Sequence, residues 1–88
     1  MTAEPVKLIY FAWVRERIGK AEETIEPPAS VRTVAELIAW LTAQGEGYAY
    51  AFEKPKVIRA AIDQSHVQPD APISGAREIA FFPPMTGG

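Results

Sequence analysis

Apolar and polar positions alternate near the start of the chain. In Val6-Lys7-Leu8-Ile9-Tyr10-Phe11-Ala12, Val6, Leu8 and Tyr10 share one side, and Lys7, Ile9 and Phe11 share the other. A period of two among β-branched and aromatic residues predicts a strand over 6–12. Lys7 marks the second side as the solvent side. Trp13 to Ile18 reads as a short helical turn stopped by Gly19. Glu22 to Glu26 reads as a second strand, returning as a hairpin with an enlarged loop. Pro27-Pro28 ends it, because proline has no N–H to give to a ladder.

The period then changes from two to 3.6. Thr33 and Glu36 spell a T-x-x-E capping box. Val34, Leu37, Ile38 and Leu41 follow at helical spacing as one apolar stripe, and Gly45 suits the position just past a helix end. Gly47 to Phe52 is apolar without a clean period and reads as an irregular or short helical connection. Val57 to Ile62 predicts a third strand, with Ile58, Ala60 and Ile62 facing one way and Arg59, Ala61 and Asp63 the other. His66-Val67 reads as a brief edge strand, and 68–77 is rich in turn residues. Glu78 to Phe82 is the last strand, with Ile79 and Phe81 inward and Glu78, Ala80 and Phe82 outward.

Two strands, a helix and two strands predict an α+β fold of β-grasp type, a mixed sheet with one main helix packed on one face. The first and last strands are the most apolar and are expected to run parallel at its centre. The domain then covers residues 1–82, and 83–88 form an extended tail. With the helix on one face, the other collects Ile9, Phe11, Ala61, Ala80 and Phe82, bordered by Lys7, Arg59 and Glu78. Apolar groups gathered on a solvated face and rimmed by charge mark a partner surface. Trp13 and Trp40 are assigned structural roles, and Glu16, Glu22 and Glu23 are read as solvated loop charges.

Composition narrows the function. At 88 residues there is room for one core. A formal net charge of −2 and the lack of a basic stripe argue against nucleic acid. With no cysteine and one histidine, thiol chemistry is excluded and a metal site built by this chain is not expected. No P-loop, dinucleotide fingerprint or nucleophile elbow occurs, so no cofactor is expected on the chain itself. Asp63, Ser65 and His66 are close in sequence, but the preferred reading is a solvated turn. No stretch has the length of a membrane span and no signal peptide is read, so the expected location is cytoplasmic.

The chemistry then falls to the tail, Pro83-Pro84-Met85-Thr86-Gly87-Gly88. The prolines stiffen its exit from the last strand. Six extended residues reach up to about 20 Å. Gly87 and Gly88 carry no Cβ, so they suit a narrow channel in another protein. The α-carboxylate of Gly88, with an ordinary pKa of about 3.5, is ionised and can attack the α-phosphate of ATP on a partner enzyme.

The ending Phe81-Phe82-Pro83-Pro84-Met85-Thr86-Gly87-Gly88 resembles the signature of the molybdopterin synthase small subunit (MoaD) family. Leu8 to Glu16 and Ala61-Ile62-Asp63-Gln64 are also similar to that family, and the resemblance spans nearly the whole chain. At Ser74-Gly75-Ala76-Arg77-Glu78 the chain departs from the family's D-G-D-E, losing an acid and gaining a base. The resemblance implies a ubiquitin-like β-grasp fold. It implies that Gly88 is adenylated by an adenylyltransferase related to ubiquitin-activating enzymes (MoeB-like), which uses the ATP, and that a sulfur donor protein then supplies a thiocarboxylate. The tail would enter the large subunit (MoaE-like) of a heterotetramer and give its sulfur to cyclic pyranopterin monophosphate. The catalytic side chains would lie on that subunit, with Phe82 in the contact. Alternatives are a sulfur carrier for thiamine synthesis or tRNA thiolation, a ubiquitin-like modifier of lysines, or an interaction module with inert glycines.

Overall fold

The computed structural model describes residues 5–84. Strand β1 (Val6–Tyr10) leads into helix α1 (Ala12–Ile18) and then strand β2 (Glu22–Ile25). Helices α2 (Val34–Thr42) and α3 (Glu46–Ala51) follow. A single 3-10 turn at Pro55–Val57 precedes β3 (Arg59–Ile62), β4 (Ser65–Val67) and β5 (Glu78–Phe82). The sheet order is β2-β1-β5-β3-β4. β1 and β5 run parallel, in the register Leu8↔Ile79 and Tyr10↔Phe81, while the other pairings are antiparallel. The most apolar strands thus occupy the centre of a mixed, β-grasp sheet, as their hydrophobicity requires.

The inner face of the sheet supplies Leu8, Tyr10, Ile79 and Phe81, all essentially inaccessible to water. Helix α2 covers them with Val34, Leu37, Ile38 and Leu41, the stripe read from sequence. Its start is fixed by the reciprocal box. Glu36 N–H donates to Thr33 Oγ1 at 3.1 Å, and Thr33 N–H donates to Glu36 Oε1 at 3.2 Å. Fully burying one side chain such as Leu37 stabilises the fold by about 1.5–3 kcal/mol.

Three local expectations are corrected. The first strand stops at Tyr10 rather than Ala12. Phe11 is the N-cap of α1, and Ala12 adopts φ 52°, so the chain leaves the sheet there. The turn is held by Phe11 N–H donating to Phe81 O at 3.1 Å. Val57 and Ile58 precede the third strand, which begins at Arg59, because Pro55 opens a 3-10 turn. Helix α2 ends without a left-handed residue, and Gly45 is instead the extended N-cap of α3. The segment after it forms a short helix, one of the two readings its sequence allows, so the sheet carries α1 and α3 as well as the main helix. The glycine with a packing duty is Gly47, where a Cβ would lie 3.0 Å from Arg17 O and 3.2 Å from Ile18 O. That close approach seats α3 on α1.

Candidate functional site

Strand β5 carries the chain through the centre of the sheet and delivers Pro83 at its end. Neither Pro83 nor Pro84, both half-buried, can extend the ladder. Met85, Thr86, Gly87 and Gly88 lie outside the described residues. Around this exit the pleat and register assemble the outer face. Ile9, Ala80, Ala61 and His66 form one row across β1, β5, β3 and β4. Phe82 lies opposite Arg59, and Lys7 opposite Glu78.

The structure brings most of the expected surface residues together, with two changes. Ile9, Ala80 and Phe82 are half-buried and Arg59 is exposed. Phe11 is 47% exposed, but it stands at the sheet's end beside β5 rather than within β1. Ala61, expected on the exposed surface, is buried at 7%. Its methyl group is short and lies mid-sheet, and the His66 and Phe82 rings meet beside it, edge to face at 5.3 Å between centroids. His66 therefore stands on this face in β4, beyond the turn, and is still exposed to solvent. Its register opposite Ala61 is the signal, and a three-residue strand is too short to show it by alternation.

The Asp63–His66 neighbourhood is not a hydrolytic site. Asp63 and Gln64 have φ 48° and 73°, the left-handed pair of a tight hairpin. The Asp63 carboxylate accepts from the backbone N–H of Arg77 at 3.1 Å and of Glu78 at 3.0 Å. It ties the β3–β4 turn to the start of β5, and the His66 ring is engaged with Phe82.

Glu23 also differs from its reading as a solvated charge. In β2 the alternation turns Glu22 outward, near Lys7 at 3.5 Å, and Glu23 inward. Glu23 Oε2 accepts from Tyr10 Oη at 2.7 Å and from Tyr48 Oη at 2.5 Å, and Lys20 Nζ lies 3.2 Å from Oε1. Burial pushes the Glu23 carboxyl up, but hydrogen bonds from Tyr48, Tyr10 and Lys20 outweigh it and hold it below the usual range. Burial, then the bond to the Glu23 carboxylate, raises both tyrosine hydroxyls. The cluster joins β1, β2 and α3 through Tyr10, Glu23 and Tyr48 on the inner side of the sheet, and is structural. So is Trp13, whose ring lies 4.4 Å from the Arg17 guanidinium carbon. The same carbon sits 4.1 Å from the Tyr50 ring, clamping α1 to α3. Trp40 packs against the core. Among the described residues, no three His, Asp or Glu side chains gather as metal ligands.

The described part of the site thus consists of a rigid central strand, a proline exit and an apolar, charge-rimmed face, and it holds no catalytic constellation. The ThiS family model matches residues 8–88. The molybdopterin synthase sulfur carrier subunit of Escherichia coli K12 is 40% identical over 83 residues, spanning 94% of this chain and 99% of that protein. Among solved structures, a putative molybdopterin converting factor subunit 1 from Pyrococcus furiosus superposes with a TM-score of 0.73 at 24% identity, covering 94% of this chain and 100% of that one. A chain in the complex of subunits 1 and 2 of the molybdopterin-converting factor from Helicobacter pylori superposes at 0.62 with 21% identity, covering 97% and 100%.

Proposed function

Because the chain belongs to the ThiS family, we propose that it works as the sulfur carrier subunit of a molybdopterin synthase. The observation that carries this reading is the 40% identity to the Escherichia coli subunit along 99% of that protein's length. The reactive group is the α-carboxylate of Gly88. It attacks the α-phosphate of ATP on an adenylyltransferase, and pyrophosphate leaves. Sulfide released by a donor protein attacks the acyl carbon, AMP leaves, and the C-terminus becomes a thiocarboxylate. Within the large subunit that thiocarboxylate gives its sulfur to cyclic pyranopterin monophosphate, and water restores the carboxylate. The chain itself contributes no catalytic side chain.

The geometry supports a division of labour. The outer face, through Ile9, Phe11, Arg59, Ala80 and Phe82, docks the body on the large subunit. Ala61 offers little surface and acts by spacing His66 from Ala80. Pro83 and Pro84 aim Met85, Thr86 and Gly87 into the partner, and Gly88 carries the sulfur. The cytoplasm, where ATP is available, is the compartment this chemistry needs.

Intact-mass measurement tests the reading. After incubation with the cognate adenylyltransferase, ATP and a sulfur source, one oxygen is replaced by sulfur, and fragmentation maps the exchange to Gly88. Deleting Gly88 abolishes the exchange while the circular dichroism spectrum is unchanged. No exchange with an activator that is competent on another carrier overturns the proposal. Adding the large subunit and pterin precursor then separates this role from thiamine synthesis or tRNA thiolation.

A further inference from the structure

A second concave surface lies on the helix side of the sheet. A groove of about 830 Å³ runs between α2 and the β3–β4 edge, floored by Val34, Ile38, Phe52, Ile58, Ala60 and Val67. Among the described residues, α2 forms its helical wall with Val34, Ala35, Ile38, Ala39 and Thr42, and the 3-10 turn closes one side with Pro55 and Lys56. Gly47 lets α3 sit against the end of α1. Groove and outer face open on opposite sides of the sheet and meet at its β3–β4 edge, where Arg59 and His66 border both.

Two observations define what fits. The first is the sheet edge. β4 is the terminal strand, and residues 65–67 make no backbone hydrogen bond beyond the β3 ladder among the described residues. An open strand edge accepts an extended peptide as a further strand. The second is charge. Glu53, Lys56 and Arg59 line the groove. Glu53 is already paired with Arg17 at 3.6 Å, whereas neither Lys56 nor Arg59 has an ion-pair partner among the described residues. In a chain of net charge −2, two uncompensated cations at one end of an apolar groove select an anionic occupant.

We propose that the groove between α2 and β4 docks an extended apolar peptide segment of a partner protein, added alongside β4, with acidic side chains against Lys56 and Arg59. A three-residue strand is about 10 Å long, so it pairs with about three residues of the segment, and further residues carry the acids to Lys56 and Arg59. Arg59 is in register with Phe82, so the charged end of the groove adjoins the outer face. One partner can span both without involving the tail.

The test titrates the ¹⁵N-labelled full chain with an acetylated, amidated hexapeptide of alternating valine and threonine ending in two glutamates. Saturable amide shifts at 65–68 and along 38–42 are expected, together with slowed exchange of β4 amides. Reversing both charges, Lys56→Glu with Arg59→Glu, weakens binding by about tenfold or more, the sum of two surface ion pairs. A peptide ending in two lysines binds correspondingly worse. Ala39→Trp, at an exposed position on the groove side of α2, blocks binding while leaving the core untouched. Shifts confined to the outer face, no shifts at all, or equal binding of the lysine peptide overturn the proposal. So do concentration-dependent shifts of the groove residues without peptide, which would make a second copy of the chain the occupant.

Discussion

At Glu23 the sequence offers one of two adjacent acids in a charged hairpin, and the pleat turns it inward onto two tyrosines. That placement has a consequence for stability against pH. The folded-state pKa of Glu23 is depressed, so its contribution is fully present above the ordinary carboxylate range and is lost as pH falls through the lower folded value. The window opens near the unfolded value of about 4.3 and extends downward. Glu23→Gln keeps an acceptor for the tyrosines but removes the charge. Urea midpoints are expected to show a variant about 1 kcal/mol less stable at neutral pH, with a shallower loss on acidification. An unchanged acid slope would show that other carboxylates carry it. Phe82 is the residue-scale test of the outer face. Its half-buried ring meets His66 rather than the inner core. Phe82→Asp is expected to keep the fold and weaken binding to the large subunit by about 2 kcal/mol or more, the scale of an aromatic anchor. Calorimetry showing unchanged affinity would remove Phe82 from the interface.

Among the elements, α3 depends on a single missing Cβ. Alanine at position 47 would gain about 1 kcal/mol of helix propensity over glycine. It would also press a methyl group onto the last turn of α1, at 3.0 Å from a backbone oxygen that cannot rotate away. Overpacking of this kind costs about 1–3 kcal/mol, so Gly47→Ala should lower the urea midpoint, and a raised midpoint would contradict the close approach. The same contrast explains what could be read in advance. Helix α2 was legible because its cap and stripe are local, lying within nine residues. The central parallel pair was legible because β1 and β5 are the most apolar strands, each with a single charged residue, Lys7 or Glu78. Helices α1 and α3, seven and six residues long, are too short to display a period. Their pairing is set by Gly47 and by Arg17 between two rings, contacts distant in sequence. Ala61 was misplaced for a related reason. Alternation assigns it to the right face, but its burial depends on His66 from a neighbouring strand and on Phe82.

For the molecule as a whole, the described core runs from Val6 to Phe81, and the working end lies beyond it. If the outer face fixes the body on the large subunit, the distance from Phe82 to the Gly88 carboxylate is set by chain length alone. Inserting one alanine between Pro84 and Met85 lengthens the tail by about 3.5 Å when extended. The core and the docking face are unaltered, so the stability read from urea unfolding should change by no more than about 0.5 kcal/mol and complex formation should persist. The sulfur would nevertheless be misplaced by more than the ~1 Å that already costs about 100-fold in a positioned reaction. Single-turnover transfer from pre-formed thiocarboxylate should therefore fall at least about 100-fold in the insertion variant. Using pre-formed thiocarboxylate separates this loss from any defect in activation. Transfer at the parental rate would mean that the tail adjusts its path inside the partner. The body would then serve as a tether rather than as a ruler.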